Sequence, residues 1–397
     1  MGRGVAYSTT EPAHLLNVRA EGMSALAGEP DHFADYFQRE AQGNRRDFAQ
    51  RRLFARYLSG ILQEAVDSGA TKLAEATAIG GRRDGAWTVR LSDGSEIATD
   101  ALVLAVGNQE PEALRAFDGI GQRFVRNPWG DDARAAVSEL AASHGSALLV
   151  GTGLTMIDLV LSLDAVGHRG RIVALSRRGL IPRGHADFEA APVDQDELPN
   201  GLRPLSRWLR KRGSEVGWRA AVDSLRPYSH LLWQRLNPEE QRRFLRHARP
   251  WWDVHRHRIA PEVASTVARM IAEGRLEIDA GRIIAARDTP DGLEVDYRRR
   301  GAAEARTEAF DRAFNCTGPL HSMERTRDPL LRSLLNAGEV RPDHLGIGLE
   351  VDEHCRAGRN LWALGPLTKA RYWEIIAVPD IREQAAAVAE DIQRELA

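Results

Sequence analysis

Between Ser146 and Arg178 the apolar positions change their period twice. Ser146–Val150 is a short apolar run of β character, interrupted by Gly151-Thr152-Gly153. From Leu154 to Gly167 the apolar residues recur at helical spacing, and Arg171–Ser176 is a second apolar run. The pattern predicts strand, glycine turn, helix and strand, one βαβ unit of about 30 residues. Trp87–Asn108 has a different rhythm: alternating positions flank Asp93-Gly94, a hairpin signal, and a third apolar run ends at Gly107. Leu293–Gly318 repeats this plan, with Asp311 and Gly318 in the places of Asp100 and Gly107. A repeated meander followed by a strand predicts two related domains in one chain.

The second copy is preceded by the βαβ unit, and the first is not. Upstream of residue 72 the chain has GRGVAYS, a His-Leu-Leu-Asn stretch and helical patterning. Gly2 and Gly4 form a Gly-x-Gly, but no strand pattern leads into them. Residues 182–260 are rich in Arg, Trp and Pro and predict several amphipathic helices, a lid or cover beside the cleft that the glycine turn would open. After residue 360 the pattern predicts a strand, a loop and a helix of several turns, with Pro379 in the first turn, where its missing N–H is harmless.

Composition narrows the class. The chain has 397 residues, 43% of them hydrophobic and 28% charged, with a formal net charge of -2. That exceeds one ordinary domain, is apolar enough for real cores, and lacks the basic excess of a dedicated nucleic-acid binder. No apolar run approaches the roughly 18–20 residues of a membrane span. The first residues hold no apolar h-region, and Ala6 stands where a myristoylation signal needs Ser or Thr. Cys316 and Cys355 are the only cysteines, so a disulfide framework and a Cys-x-x-Cys centre are both absent and a cytoplasmic protein is expected. Lys72, Lys211 and Lys369 are the only lysines among 54 basic residues, which reflects coding bias where acidic residues are interspersed almost everywhere.

The βαβ unit carries the candidate chemistry. Glycines at such a turn let the backbone approach a pyrophosphate, and the helix N-terminus offers free N–H groups and positive partial charge. The fingerprint Gly-x-Gly-x-x-Gly is incomplete, because Met156 takes the sixth position; a tight turn without a ligand is the plainer alternative. At the end of the second strand an NAD site carries an acidic residue, whereas an NADP site carries Arg for the 2′-phosphate. Here stand Ser176, Arg177 and Arg178, which favour NADP over NAD unless they are solvated surface charge. Asp253, His255 and His257 could hold a metal only on a strand; their helical flanks make the imidazoles diverge, so no metal is expected and a structural or pocket role fits better. Cys316, before a glycine turn, reads as a small buried residue.

With these stretches in view, the chain resembles the bacterial FAD/NAD(P)-binding oxidoreductases. These flavoproteins have two dinucleotide-binding domains and are distantly like flavin-dependent monooxygenases. GRGVAYSTTEPAHLLNV, GTGLTMID, ALSRRGLIPRGH, RPWWDVHRHRIAPE, NCTGP and ALGPLTKARYWEIIAVPDIR carry the resemblance from residue 2 to about 385. It implies an α/β fold with two Rossmann-like domains of the glutathione-reductase-like type, the first split by the second. The expected division is 1–120 for the first part of the FAD domain, 121–318 for the NAD(P) domain with its insert, and 319–397 for the second FAD part. In that family GRGVAYS follows a strand, Gly-x-Gly-x-x-Gly and helix. We therefore expect the first domain to lack about one βαβ start, on the order of 30–40 residues, and FAD binding to be weakened or lost with it.

The resemblance further implies roles for single residues. Gly2 and Gly4 match a segment near the flavin, and His14 to Asn17 a stretch by the isoalloxazine, where His14 would be a proton donor or a structural partner. Gly107 closes the first half of the FAD domain. Gly151, Thr152, Gly153, Leu154, Thr155, Ser176, Arg177, Arg178 and Gly318 would meet NADP; Gly365, Trp373, Glu374 and Ile375 would meet the flavin. Lys369 and Arg371 would touch an anionic substrate or flavin phosphate, or be surface charge. The implied activity is an FAD-dependent NAD(P)H oxidoreductase moving hydride from NADPH to flavin, with a monooxygenase as one form. The alternative is a non-catalytic NADP-binding remnant or gene fragment unable to hold FAD. A flavin-free dehydrogenase is disfavoured, since no Tyr-x-x-x-Lys relay occurs. The expected partner is a small-molecule substrate, not nucleic acid or membrane; the oligomeric state and the catalytic residues stay open.

Overall fold

The computed structural model describes every residue except Met1, Arg3 and His321. Two helices open the chain, α1 (His32–Ala41) and α2 (Arg51–Asp67). They close on an aromatic cluster in which Phe33 meets Phe54 edge to face with centroids 4.9 Å apart. A meander follows: β1 (Ala78–Asp84), β2 (Ala86–Leu91) and β3 (Glu96–Thr99), antiparallel in that order. The Asp93-Gly94 turn joins β2 to β3, as the alternation predicts, and β1 adds a strand that the pattern does not announce. Next comes β4 (Leu102–Leu104).

The second copy of the plan sits in a seven-stranded sheet. Its strands are β5 (Phe124–Val125), β6 (Ala147–Val150), β7 (Ile172–Ser176), β8 (Leu276–Thr289), β9 (Gly292–Arg299), β10 (Arg306–Phe310) and β11 (Arg312–Asn315), in the order β10-β9-β8-β7-β6-β11-β5. The pairs from β8 through β7, β6 and β11 to β5 are parallel, and β8, β9 and β10 form an antiparallel meander. Successive residues of β6 serve opposite faces. Ala147 and Leu149 pack with α3 (Asp131–Ser143), α4 (Leu154–Ala165) and the later helix Pro261–Ala272, whereas Leu148 and Val150 pack with Phe117, Phe124 and the meander. Helix α4 is apolar almost all round because it is covered on all sides; Met156 to Leu161 are all buried. The predicted strand–glycine–helix–strand unit is β6, Gly151–Gly153, α4 and β7.

Within 182–260 the chain is irregular up to residue 201 except for one 3-10 turn and then forms the expected helices: α5 (Leu202–Val216), α6 (Trp218–Ser224), α7 (Ser229–Gln234), α8 (Pro238–Arg243), a π turn over Phe244–Ala248, and α9 (Arg249–Arg256); α10 (Pro261–Ala272) then returns to the sheet. After α11 (Pro329–Asn336) the chain forms β12 (Arg356–Gly358) and β13 (Leu361–Ala363) and ends in α12 (Val378–Leu396), with Pro379 in its first turn. β13 pairs parallel with β4, so segments 102–104 and 361–363 share one three-stranded sheet across the whole intervening chain. Among the described residues no helix is long and apolar enough to cross a membrane.

Candidate functional site

A cleft of about 1150 Å³ opens over the C-terminal ends of the parallel strands. This is where open α/β sheets receive ligands. Its floor is the glycine turn. Gly151 has φ +118°, and a Cβ there would lie 2.2 Å from the Cys316 carbonyl oxygen, so only glycine lets β6 run this close to the end of β11. Gly153 differs: its Cβ direction meets nothing within 4 Å and faces open space. No side chain caps α4, which leaves its first N–H groups to the cleft. Leu154, Thr155 and Gly318 also line it.

At the end of β7 the predicted phosphate residues divide their work. The Ser176 hydroxyl accepts from the Gly179 N–H at 3.0 Å and lies 2.8 Å from the Thr152 hydroxyl, so both hydroxyls hold the turn rather than wait for a ligand. Arg178 donates to the His247 carbonyl at 3.0 Å and fastens the π turn of the insert. Arg177 is exposed at the mouth. Arg246, Arg282 and Arg300, which sequence reasoning missed, line the same cleft, and none of the four is held in an ion pair among the described residues. They come from the insert, from β8 and from the end of β9, and no local pattern links them.

The segment before α2 docks against α4 of the β6–α4–β7 unit. His14 is buried; its Nε2 donates to the Asp158 carbonyl at 2.8 Å, and its Nδ1 faces the Thr9 hydroxyl at 2.8 Å. With both nitrogens engaged, this imidazole is a strut and not a free proton donor. Asp158, one of two acids in the apolar α4, accepts from Arg51 Nη1 at 2.9 Å, both side chains about nine-tenths buried. An acid in the middle of that apolar run was the available signal for this link. Asn17 reaches the cleft, and its carbonyl accepts from His185.

Across the cleft, Glu374 accepts from two donors, Trp252 Nε1 at 2.8 Å and His257 Nε2 at 3.3 Å, and forms an ion pair with Arg256 at 3.2 Å. It is a non-glycine residue at φ +75°, a conformation that its surroundings must enforce. Burial alone would raise its pKa; His257, Arg256 and Trp252 outweigh it and hold the carboxyl at about 2. The same partner, against burial, raises the His257 pKa. His255 instead turns to the Trp251 carbonyl and packs edge-on to Trp218. The two imidazoles diverge, and no metal-binding group of three occurs among the described residues. Trp373 stacks on Trp233 with centroids 4.8 Å apart, and its buried indole N–H has no partner among the described residues. Lys369 lines the cleft; burial and nearby Arg249 lower its pKa to about 8. Cys316 is buried, which pushes its thiol up.

Five predicted contacts lie outside the cleft wall. Gly2 sits against Leu62, and Gly4 is exposed at the start of the chain. Gly107 turns the chain at φ +67° just before the lining stretch Asn108–Pro111. The Gly365 N–H is consumed by Gln384 at 2.7 Å, and the Ile375 side chain is buried in the core.

The first 109 residues match a family described as FAD-NAD(P)-binding. An uncharacterized protein of Mycobacterium tuberculosis is 26% identical over 136 residues, 32% of this chain and 25% of that protein. The chain therefore spans about a quarter of the length of the curated relatives it matches. An L-lysine 6-monooxygenase from Pseudomonas syringae superposes with TM-score 0.64 and 20% identity, over 97% of this chain and 87% of its own. An ornithine N-hydroxylase from Kutzneria sp. 744, solved with reduced FAD, NADP+ and L-ornithine, gives 0.63 and 15% identity over 100% and 90%. The fold is thus that of flavoproteins with two dinucleotide-binding domains, and the chain resembles FAD/NAD(P)-binding oxidoreductases in both sequence signature and architecture.

Proposed function

We propose that the chain is an NADPH-dependent flavin oxidoreductase, with an N-hydroxylating monooxygenase as the form its neighbours favour. The observation that carries this reading is the cleft itself, in which a glycine turn with one obligatory and one unobstructed glycine opens beneath four unpaired arginines. The residues present fit NADP, and for FAD they fit the flavin end, while no Gly-x-Gly-x-x-Gly turn for its pyrophosphate occurs upstream of residue 72. For NADP, Gly153 leaves room for backbone approach, the uncapped start of α4 offers N–H groups to a pyrophosphate, and Arg177 with Arg282 and Arg300 suits a 2′-phosphate. For FAD, Asn17, Trp373 and Glu374 stand beside the uncapped N-terminus of α12, and the orphaned Trp373 N–H supplies a donor.

When bound, the two cofactors supply hydride transfer and onward electron delivery. The chain's own part is placement. Arg177 and its neighbours would hold the adenosine end, and the first turn of α4 would hold the diphosphate. The positive end of α12 would favour negative charge on a group held beside it. Glu374, ionised and fixed by two hydrogen bonds and the Arg256 ion pair, anchors the insert over the site and so helps exclude water. A cytoplasmic setting and a small-molecule substrate belong to the same reading.

The test is spectroscopic. The purified chain, incubated with FAD and desalted, is expected to retain oxidised-flavin absorbance near ~450 nm and to bleach anaerobically with NADPH faster than with NADH. A chain that binds NADPH but takes up no FAD would instead be the non-catalytic NADP-binding form.

A further inference from the structure

The wall where α9 faces residues 369–374 has an unequal charge account. Arg249, Arg256 and Lys369 contribute positive charge, and His257 adds to it when protonated. Two carboxylates contribute, Asp253 and Glu374, and both are already occupied. Glu374 takes Trp252, Arg256 and His257. Asp253 accepts from Arg249 Nε at 3.2 Å and lies 4.0 Å from His257. Lys369 forms no ion pair among the described residues, although it sits within the field of Arg249, Asp253 and Glu374. An incoming ammonium would find no carboxylate free to receive it and would meet a surplus of like charge. An incoming carboxylate would find one uncommitted ammonium beside the aromatic Trp373, with apolar Leu245, Pro250 and Ile347 lining the same cleft.

We propose that this wall is a substrate subsite for a small carboxylate-bearing molecule, and that the Lys369 ammonium receives the carboxylate. The inference rests on reading the cleft as that of an oxidoreductase, and it names the substrate class. The lowered pKa of Lys369 is what an ammonium without a permanent counter-ion displays when partly buried. Burial pushes Asp253 upward as well, so this wall gains still more positive character as that carboxyl takes up protons. The shared chemistry, an anion on an ammonium, could also come from a cofactor phosphate, and the test separates the two.

Succinate and 1,4-diaminobutane, both four carbons long and opposite in charge, are titrated into the full chain with tryptophan fluorescence as the readout, since Trp373 lines the subsite. Succinate is expected to bind saturably and the diamine not to bind. Lys369→Met is expected to weaken succinate by about 10–100-fold, the range for a hydrogen bond to a charged group, and Lys369→Arg to recover most of it. FAD and NADPH affinities, measured on the same proteins, are expected to stay within about threefold of the parent, less than one such bond. The proposal is overturned if the diamine binds in place of succinate, a comparison that needs no variant. It is also overturned if Lys369→Met leaves succinate affinity unchanged, or if the variant weakens FAD or NADPH instead, which would assign the ammonium to a cofactor phosphate. A chain that binds succinate through Lys369 but neither cofactor would refute the oxidoreductase reading and leave the anion subsite standing.

Discussion

Gly151 and Gly153 are two residues apart, and the geometry gives them opposite duties. A methyl group at Gly151 would stand 2.2 Å from the Cys316 oxygen, 2.6 Å from the Cys316 carbonyl carbon and 3.1 Å from the Thr317 nitrogen. All three are backbone atoms, so no side chain can rotate away. Relief requires the end of β11 to move off β6, against the parallel pairing of Asn315 with Val150. The positive φ adds roughly 1–2 kcal/mol, and overpacking a tight site adds about 1–3 kcal/mol. Gly151→Ala is therefore expected to destabilise the chain by about 2–5 kcal/mol. Gly153 has φ -87° and free space at its Cβ. Gly153→Ala should stay within about 1 kcal/mol of the parent, the gain in unfolded-chain entropy offsetting a poorer helix cap. Its methyl would occupy the approach of a diphosphate, so NADPH affinity should fall about tenfold or more, as when a charged hydrogen bond is lost. Urea titration followed by circular dichroism measures the first effect, and fluorescence titration with NADPH the second. A stable Gly151→Ala protein would refute the close-approach reasoning. An unimpaired Gly153→Ala protein would mean that the turn does not hold the cofactor.

Other expectations use the same assays. Asp158→Ala should cost about 3–5 kcal/mol by stranding the buried Arg51 guanidinium, while Arg51→Met with Asp158→Leu should recover most of it; additive losses in that cycle would show that the pair is not coupled. Arg177→Ala and Arg300→Ala should each weaken NADPH by about tenfold and leave NADH nearly unchanged, and equal losses for both nucleotides would remove the 2′-phosphate assignment. The Glu374–His257 pair predicts a pH window for stability. The folded-state pKa of Glu374 is depressed to about 2, so its contribution is present above the usual 4.5 and lost as pH falls toward 2. The folded-state pKa of His257 is raised above 6.5, so its contribution is full below 6.5 and lost as pH rises through the folded value. Melting temperature against pH should therefore be highest from about 4.5 to 6.5 for this pair, and Glu374→Gln should flatten that part of the profile.

Much of the frame was legible because local and tertiary signals agree. The β6–α4–β7 unit has apolar strands covered on both faces and a glycine turn between, and the two meanders have alternation bracketing tight turns. β1 escaped for a physical reason. Its Gly80 and Gly81 carry no alternation to read, and they exist because α11 lies on this strand: a Cβ at Gly81 would come within 3.0 Å of Leu334. The 14-residue β8 leaves the parallel sheet near Gly281 to join the meander, a change of partner that no sequence period encodes. The site was less legible than the frame. Ser176 and Arg178 were identified by position and turned out to be tied into structure, whereas Arg282 and Arg300 reach the same mouth from strands more than a hundred residues downstream of β7.

The insert shows most clearly what tertiary contact adds to composition. Amphipathic helices beside a cleft read from sequence as a lid. The structure fastens them to the other side of that cleft instead. Trp233 Nε1 donates to the Ala370 carbonyl at 2.7 Å, Gln234 to the Arg371 carbonyl, and Arg242 to the His344 carbonyl. The Trp233–Trp373 stack, the two hydrogen bonds on Glu374 and its ion pair with Arg256 complete the join. A lid must break its contacts to open, and these include a buried hydrogen bond and a desolvated ion cluster, the kind of contacts whose loss carries a full desolvation penalty. The insert is therefore a fixed wall, and access to the cleft runs along the exposed arginine mouth at the end of β7. A dinucleotide entering there would pass the unpaired guanidinium groups first, and a substrate reaching the far wall would meet the uncommitted ammonium of Lys369.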